Sequence, residues 1–362
     1  MINKIYLKNF KCFIDESFGL AELNILCGLN SGGKSTLIQS LLLIAQSRQF
    51  LPSIRRLNLK GDYYDFGTAR DVLNNFSEED VIEISMSDEH GDYSIVADYN
   101  SSNNTFRIPF ERAEGSYVAP KRNAARFKLK YISANRTGPV TTQNNSETLN
   151  VTPYGDNVID IIAKNLDTSI PKTLCHPRAS SEKLEDQLSA WLGEISPGVE
   201  ISVDTFRDLG VSAARFSTKT GELSTESHRP TNVGFGLFYI LPILVTVLTS
   251  RPGDLLIIEN PEAHLHPRGQ AAIGRLICLA AFGGRQVIVE THSDHVVNAL
   301  RLLIKEGTLS PESTNLLYFE STSESLYIKR SVVKVEINRS GKILNWPDSF
   351  MDQWDNDSMR LI

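Results

Sequence analysis

The run LNILC-GLNSGGKS-TLIQSLLLIAQSR, residues 23–48, decides the fold. Its centre, Gly28-Leu-Asn-Ser-Gly-Gly33-Lys34-Ser35, satisfies G-x-x-x-x-G-K-[ST] at every fixed position. The mostly apolar LNILC before it ends at a glycine and reads as a short strand. After it, Leu37, Ile38, Leu41, Leu42 and Ala45 recur at helical spacing. Strand, loop and helix in that order make a phosphate cradle. Glycines let successive backbone N–H groups turn inward, and the helix N-terminus adds its positive dipole end. Lys34 would reach the β- and γ-phosphates and Ser35 would ligate Mg²⁺. Gly28, Asn30, Ser31, Gly32, Gly33, Lys34, Ser35 and Thr36 are therefore the candidate nucleotide-binding residues.

A phosphate loop needs an acid at the end of a neighbouring strand. LLIIENPEAHLHP, residues 255–267, supplies it as an apolar run ending in carboxylates. Glu259 is the candidate Mg²⁺ ligand. Glu262 would orient or activate the attacking water, with Asn260 as the alternative. VIVETHS, residues 287–293, delivers His292 after another apolar run, where an imidazole can bond the γ-phosphate or the water. At residues 229–236, RPTNVGFG opens an apolar helix. Spacing alone makes this a helix start with glycine as breaker, with a second phosphate face as the alternative.

A chain of 362 residues is long for one small domain and predicts two lobes, or one core with a large insertion. A hydrophobic fraction of 41% is enough for a sizeable core, and a net charge of −6 gives no global field to attract nucleic acid. Lys121, Arg122, Arg126, Lys128 and Lys130 form a local basic stretch without an acid; it reads as an exposed strand face, with phosphate-backbone contact as the alternative. Cys12, Cys27, Cys175 and Cys278 show neither CxxC pairing nor zinc spacing. Reduced thiols fit a cytoplasmic protein, and the charged first ten residues do not read as a signal peptide. The most apolar stretch, Gly236–Leu248, is too short to span a membrane and carries Pro242. It reads as a buried helix kinked or broken at that proline.

Strands are expected over Val81–Met86, Tyr93–Tyr99, Phe106–Phe110 and Phe127–Ile132. Loops are expected at Asn100–Asn104 and Thr141–Ser146, and a helix at Ser181–Trp191. In the last third, strands at Leu255–Glu259 and Gln286–Glu290 alternate with helices at Gln270–Ala281 and His295–Ile304, which implies an α/β fold with a parallel sheet. The expected division is residues 1–60 and 206–330 as two parts of one core, 61–205 as an inserted lobe, and 331–362 as a C-terminal extension.

Taken in order, LKNFKCF, GLNSGGKS, NVGFG, LLIIENPEAHLHP and ETHS resemble the motifs of SMC/RecF-like ABC ATPases. More narrowly, the ENPEAHLHP motif and the C-terminal GKILNWPDSFMDQ resemble compact bacterial AAA-type ATPases. Weaker echoes stand at Gly61–Gly67 and Tyr131–Pro139. The resemblance implies an ABC/SMC-like P-loop core with a mixed sheet and an inserted α+β lobe, ATP and Mg²⁺ as cofactors, and a homodimer or higher oligomer sandwiching ATP. Asn232, Gly234 and Gly236 would then contact the γ-phosphate across the dimer, and His292 would be the switch histidine. Two departures stand out: the signature turn lacks the usual serine, and Asn260 occupies the usual catalytic-glutamate position. The turn His264-Leu-His266 is expected at the dimer interface rather than on a metal.

The resemblance implies an ATPase that signals to a partner, in the setting of antiphage modules such as the Septu type, where an effector or nuclease protein is paired with it. Nucleic acid is kept as a further partner, and no membrane is expected. The alternative is an ATP-gated scaffold with little hydrolysis, which Asn260 favours. A nuclease of the overcoming-lysogenisation-defect type would carry a TOPRIM domain after these motifs. With 70 residues following His292, that reading is placed last.

Overall fold

The computed structural model describes residues 1–48, 56–108, 128–220, 223–324, 327–348 and 350–361. In chain order the strands and helices are β1 (Ile2–Phe10), β2 (Phe13–Gly19), β3 (Leu23–Gly28), α1 (Lys34–Arg48), β4 (Val81–Asp88), β5 (Gly91–Asn100), β6 (Thr105–Arg107) and β7 (Lys128–Ile132). They continue with β8 (Thr142–Asn144), α2 (Val158–Asn165), α3 (Leu184–Ile195), β9 (Val199–Phe206), β10 (Val211–Thr220), β11 (Leu223–Ser224) and α4 (Phe235–Leu248). Last come β12 (Asp254–Glu259), α5 (Pro267–Phe282), β13 (Gln286–Glu290), α6 (Asp294–Lys305), β14 (Thr314–Glu324), β15 (Tyr327–Val335) and α7 (Gln353–Leu361). The result is a mixed α/β fold with several sheets. Its residues fall into two compact units: Met1–Leu129 with Thr314–Val335 and Asn345–Ile362, and Lys130–Ser313 with Glu336–Leu344.

The first unit holds an antiparallel sheet in the order β2-β1-β4-β5-β6. In β4, Ile82, Ile84 and Met86 are buried and alternate with half-buried neighbours, the period of a strand with one face on a core. β3 runs parallel to β14, with Leu26 opposite Leu317 and Gly28 opposite Phe319, and β14 pairs antiparallel with β15. Phe13, Phe18 and Phe319 pack ring to ring beneath the loop that follows β3.

In the second unit β12 and β13 are parallel neighbours, with Ile257 opposite Ile288. Both are buried almost throughout, as parallel strands covered on two faces must be. Helix α5 makes the crossover between them. A smaller antiparallel set, β8, β9, β10 and β11, lies in the same unit. Buried Asp160 in α2 accepts from the Ser146 N–H at 3.0 Å, the Ser146 hydroxyl at 2.8 Å and the Lys164 ammonium at 2.7 Å. Burial pushes its carboxyl up, but these donors outweigh that and hold it below the ordinary carboxylate range. Its stabilising effect is therefore present above the unfolded carboxyl pKa and lost as pH falls through the folded one. Asp160→Asn is expected to cost about 1–3 kcal/mol at neutral pH. In thermal melts the gap to the parent should close on acidification.

Three expectations are corrected. Thr141–Ser146 is not all loop: β8 pairs with β10 at Val211–Ala213, where backbone bonding outweighs the weak strand preference of Thr-Gln-Asn. The helix expected at Ser181–Trp191 starts at Leu184 and runs to Ile195, because the Ser181 hydroxyl is engaged in a turn with the Lys183 N–H and the Asp186 carboxylate. Helix α4 continues through Pro242 without a break. It is buried all round from Phe238 to Leu248, and that packing offsets a proline penalty of about 3 kcal/mol. Lys121, Arg122 and Arg126 of the basic stretch, and Pro109 and Phe110 at the end of one expected strand, lie outside the described residues.

Candidate functional site

The candidate residues divide between the two units. In the first, the chain leaves β3 and turns sharply before α1. Gly28 has φ +124° and Gly33 φ +111°, values that L side chains rarely adopt. A Cβ on Gly28 would stand 2.2 Å from the Phe319 carbonyl oxygen, and one on Gly33 would stand 2.4 Å from the Phe13 ring. The glycines thus hold the loop against β14 and the β1–β2 turn. Ser31 also has positive φ, at 66°. Lys34 is buried, and its Nζ donates to the carbonyls of Gly28 at 3.0 Å and Leu29 at 2.9 Å. Asn30, Ser31 and Ser35 are exposed, whereas Gly32, Gly33 and Thr36 are buried. The Cys12 thiol donates to the Thr36 hydroxyl at 3.2 Å.

Two partners of this loop were not legible in the sequence. Phe319 accepts the Leu29 N–H at 3.2 Å. Arg330 donates Nε to the Ser31 carbonyl at 3.2 Å and Nη1 to the Cys12 carbonyl at 3.4 Å. Arg330 also lines an open cleft of about 460 Å³ with Lys11, Arg70, Asp71 and Asn74, three cations against one acid. Both partners come from β14 and β15, about 290 residues further along the chain, and no local signal marks them.

In the second unit β12 ends at Glu259, whose Oε2 accepts the Ala134 N–H at 2.9 Å. Burial raises its carboxyl above the ordinary value, opposed by the Ala134 N–H, by a hydrogen bond from Tyr131 and by the Arg136 charge. Burial, with the Glu259 carboxylate next, pushes the Tyr131 phenol up. Asn260 sits at φ 45°, with its N–H on the Glu290 carbonyl at 2.8 Å. Glu262 accepts from the Thr291 hydroxyl and from the His292 N–H, both at 2.8 Å. The acidic turn and the Thr291–Ser293 turn are thus brought together within this unit. The His292 side chain is exposed at the end of β13, and Ser293 caps α6 through the His295 and Val296 N–H groups.

Asn232, Gly234 and Gly236 lead into α4 as the sequence predicts, with Asn232 and Gly234 exposed. His266 caps α5 by accepting the Arg268 N–H on Nδ1 at 3.4 Å. His264 packs against Phe235 and Tyr239, with ring centroids 4.8 and 4.9 Å away. Arg136, Tyr131, Tyr239 and Thr291 were not singled out as site residues by sequence reasoning. The only signal was the motif echo at Tyr131–Pro139, which assigns no role.

Three family models match the chain. One described as an AAA ATPase domain matches residues 1–118, and one described as an AAA domain of the AbiEii toxin, Type IV TA system, matches residues 164–298. The third, a protein family of unknown function (DUF3696), matches residues 309–361. An Smc head solved bound to the C-winged helix domain of ScpA superposes with a TM-score of 0.50 at 12% identity, covering 92% of this chain and 98% of that one. That likeness shows the fold. Residues 1–118 and 164–298 thus match AAA-domain models, within a chain that has the fold of an Smc head. A curated relative of this AAA-type chain is the OLD nuclease of Thermus scotoductus, 23% identical over 84% of this chain. The chain spans 62% of that relative's length. AAA ATPase domains use nucleotide and, as a class, hydrolyse ATP. Among the described residues no helix is long and apolar enough to cross a membrane.

Proposed function

We propose that this chain is an Mg²⁺-dependent ATPase that dimerises around ATP and acts as the sensor subunit of a cytoplasmic bacterial defence system with an effector or nuclease partner. The observation that carries the nucleotide reading is the loop itself. Gly28 and Gly33 are held at positive φ against Phe319 and Phe13, and Lys34 is drawn into the turn ahead of α1. Phosphate oxygens take the place of the Gly28 and Leu29 carbonyls at Lys34 Nζ, while backbone N–H groups and the α1 dipole stabilise the remaining charge. The basic cleft beside the loop has room for the nucleoside part.

Ser35 and Glu259 offer only hydroxyl and carboxylate oxygen, the donor type that Mg²⁺ prefers. When bound, Mg²⁺ neutralises phosphate charge. Glu262 orients the attacking water while fixing Thr291 and His292, and its two bonded oxygens keep further lone pairs for that task. His292 bonds the γ-phosphate. Asn232, Gly234 and Gly236 meet the γ-phosphate of a second copy.

Asn260 favours a second reading, an ATP-gated scaffold with slow turnover. A side-chain amide cannot accept a proton from water, and the backbone that carries this one is fixed at both its N–H and its carbonyl. Steady-state ATP hydrolysis by the parent and by Glu262→Gln, with supercoiled plasmid in parallel tubes, separates the readings. Mg²⁺-dependent turnover that falls by roughly 10²-fold in the variant supports the ATPase. Bound but unhydrolysed ATP moves the assignment to the scaffold. Absence of nucleotide binding sinks both. Plasmid nicking would bring the relative's nuclease activity to this chain.

A further inference from the structure

Arg136 is the most enclosed cation near the acidic strand end, at 5% exposure. Its guanidinium donates through Nη1 to the carbonyls of Ser133 at 3.0 Å and Glu259 at 2.8 Å, and through Nη2 to the carbonyl of Asn260 at 2.9 Å. The Tyr239 ring lies under it, with Cζ 4.2 Å from the ring centroid. The Tyr239 hydroxyl donates to the Ala134 carbonyl at 2.5 Å and accepts the Arg136 N–H at 3.2 Å. The Ala134 N–H in turn holds Glu259 Oε2.

One side chain therefore grips the backbone on both sides of the Glu259–Asn260 peptide, and its own segment grips the Glu259 carboxylate. A planar fork of donors is needed to reach three carbonyls, which a lysine ammonium does not reproduce. The grip falls where the backbone enters the left-handed region, at Asn260 with φ 45°. It is also tied to the glycine turn. Tyr239 lies one turn inside α4, and a Cβ on Gly236 would stand 2.3 Å from the His264 carbonyl oxygen, so the opening of α4 abuts the turn after β12.

We infer that Arg136 is a positioning residue for the nucleotide's metal ion: it sets the direction of the Glu259 carboxylate and, through Tyr239, links that direction to the opening turn of α4. The inference rests on the nucleotide reading above. Arg136 needs no contact with ATP for this task.

The test is ATP binding to the full chain, titrated with Mg²⁺ and compared with binding in EDTA, for the parent, Arg136→Met and Tyr239→Phe. Tyr239→Phe keeps the ring under the guanidinium and removes only the hydroxyl, with its bonds to the Ala134 carbonyl and from the Arg136 backbone N–H. In EDTA all three are expected to bind ATP within about twofold, whereas the half-saturating Mg²⁺ concentration rises about tenfold or more in Arg136→Met and about threefold in Tyr239→Phe. A general loss of packing would weaken both titrations together. If Arg136→Met does not fold, as judged by its melt, Tyr239→Phe decides alone. Folded variants with the parent's Mg²⁺ dependence overturn the inference. A parent that binds no ATP overturns the nucleotide reading first and this inference with it, and its flat EDTA titration distinguishes that case.

Discussion

Lys34→Ala is expected to weaken MgATP binding by about 10²–10⁴-fold, since an ammonium shared by two phosphate oxygens contributes two charge-assisted hydrogen bonds of about 1.5–3 kcal/mol each. Without nucleotide, the same Nζ occupies the Gly28 and Leu29 carbonyls. Leu29 is exposed and Gly28 half-buried, so water can replace the lost donor and the unfolding midpoint should move by only about 1–2 °C. Fluorescent-nucleotide titration and a thermal melt on the same sample check both halves. A variant that still binds MgATP within tenfold of the parent would show that this loop is not the nucleotide's main anchor.

Gly28→Ala should act on folding instead. The added Cβ would stand 2.2 Å from the Phe319 carbonyl oxygen and 2.7 Å from its nitrogen, at φ +124°. Neither atom belongs to a flexible side chain. Phe319 is held in register with Gly28 by the β3–β14 pairing. The expected cost is about 3–5 kcal/mol, combining backbone strain with displacement of a paired strand. That corresponds to a fall in melting temperature of roughly 5–10 °C. Gly19→Ala is the control, because a Cβ there would meet nothing within 4 Å and its φ is not in the restricted range. It should stay within about 1 kcal/mol of the parent. Equal melts for the two variants would refute the close approach at Phe319.

The loop was legible in the sequence because everything that defines it is local. Gly28 and Gly33 mark the two restricted turns, LNILC precedes them, and α1 follows within one residue. The acidic strand was legible for the same reason, since an apolar run ending in carboxylates is read in six residues. What supports these features was not legible. Arg136 lies 123 residues before Glu259 and carries no pattern that announces three backbone acceptors. Phe319 and Arg330 meet the loop only after strand pairing has brought β14 and β15 to it. Thr142–Asn144 looks like a turn by composition and becomes a strand only because β10 offers an edge. Pro242 reads as a kink or break, and the helix is carried through it by the packing around α4. Each miss is a case of tertiary contact overriding a local preference.

The first unit is assembled from segments far apart in the sequence, and β3 pairs in parallel with β14. On the ribosome β14 is made roughly 290 residues after β3, a delay of about 15–60 s at ordinary elongation rates. The contiguous body of the second unit is complete before then. The strand that leads into the phosphate loop is thus translated long before its partner β14, so the loop cannot acquire its Phe319 support until the whole contiguous body of the second unit has been made.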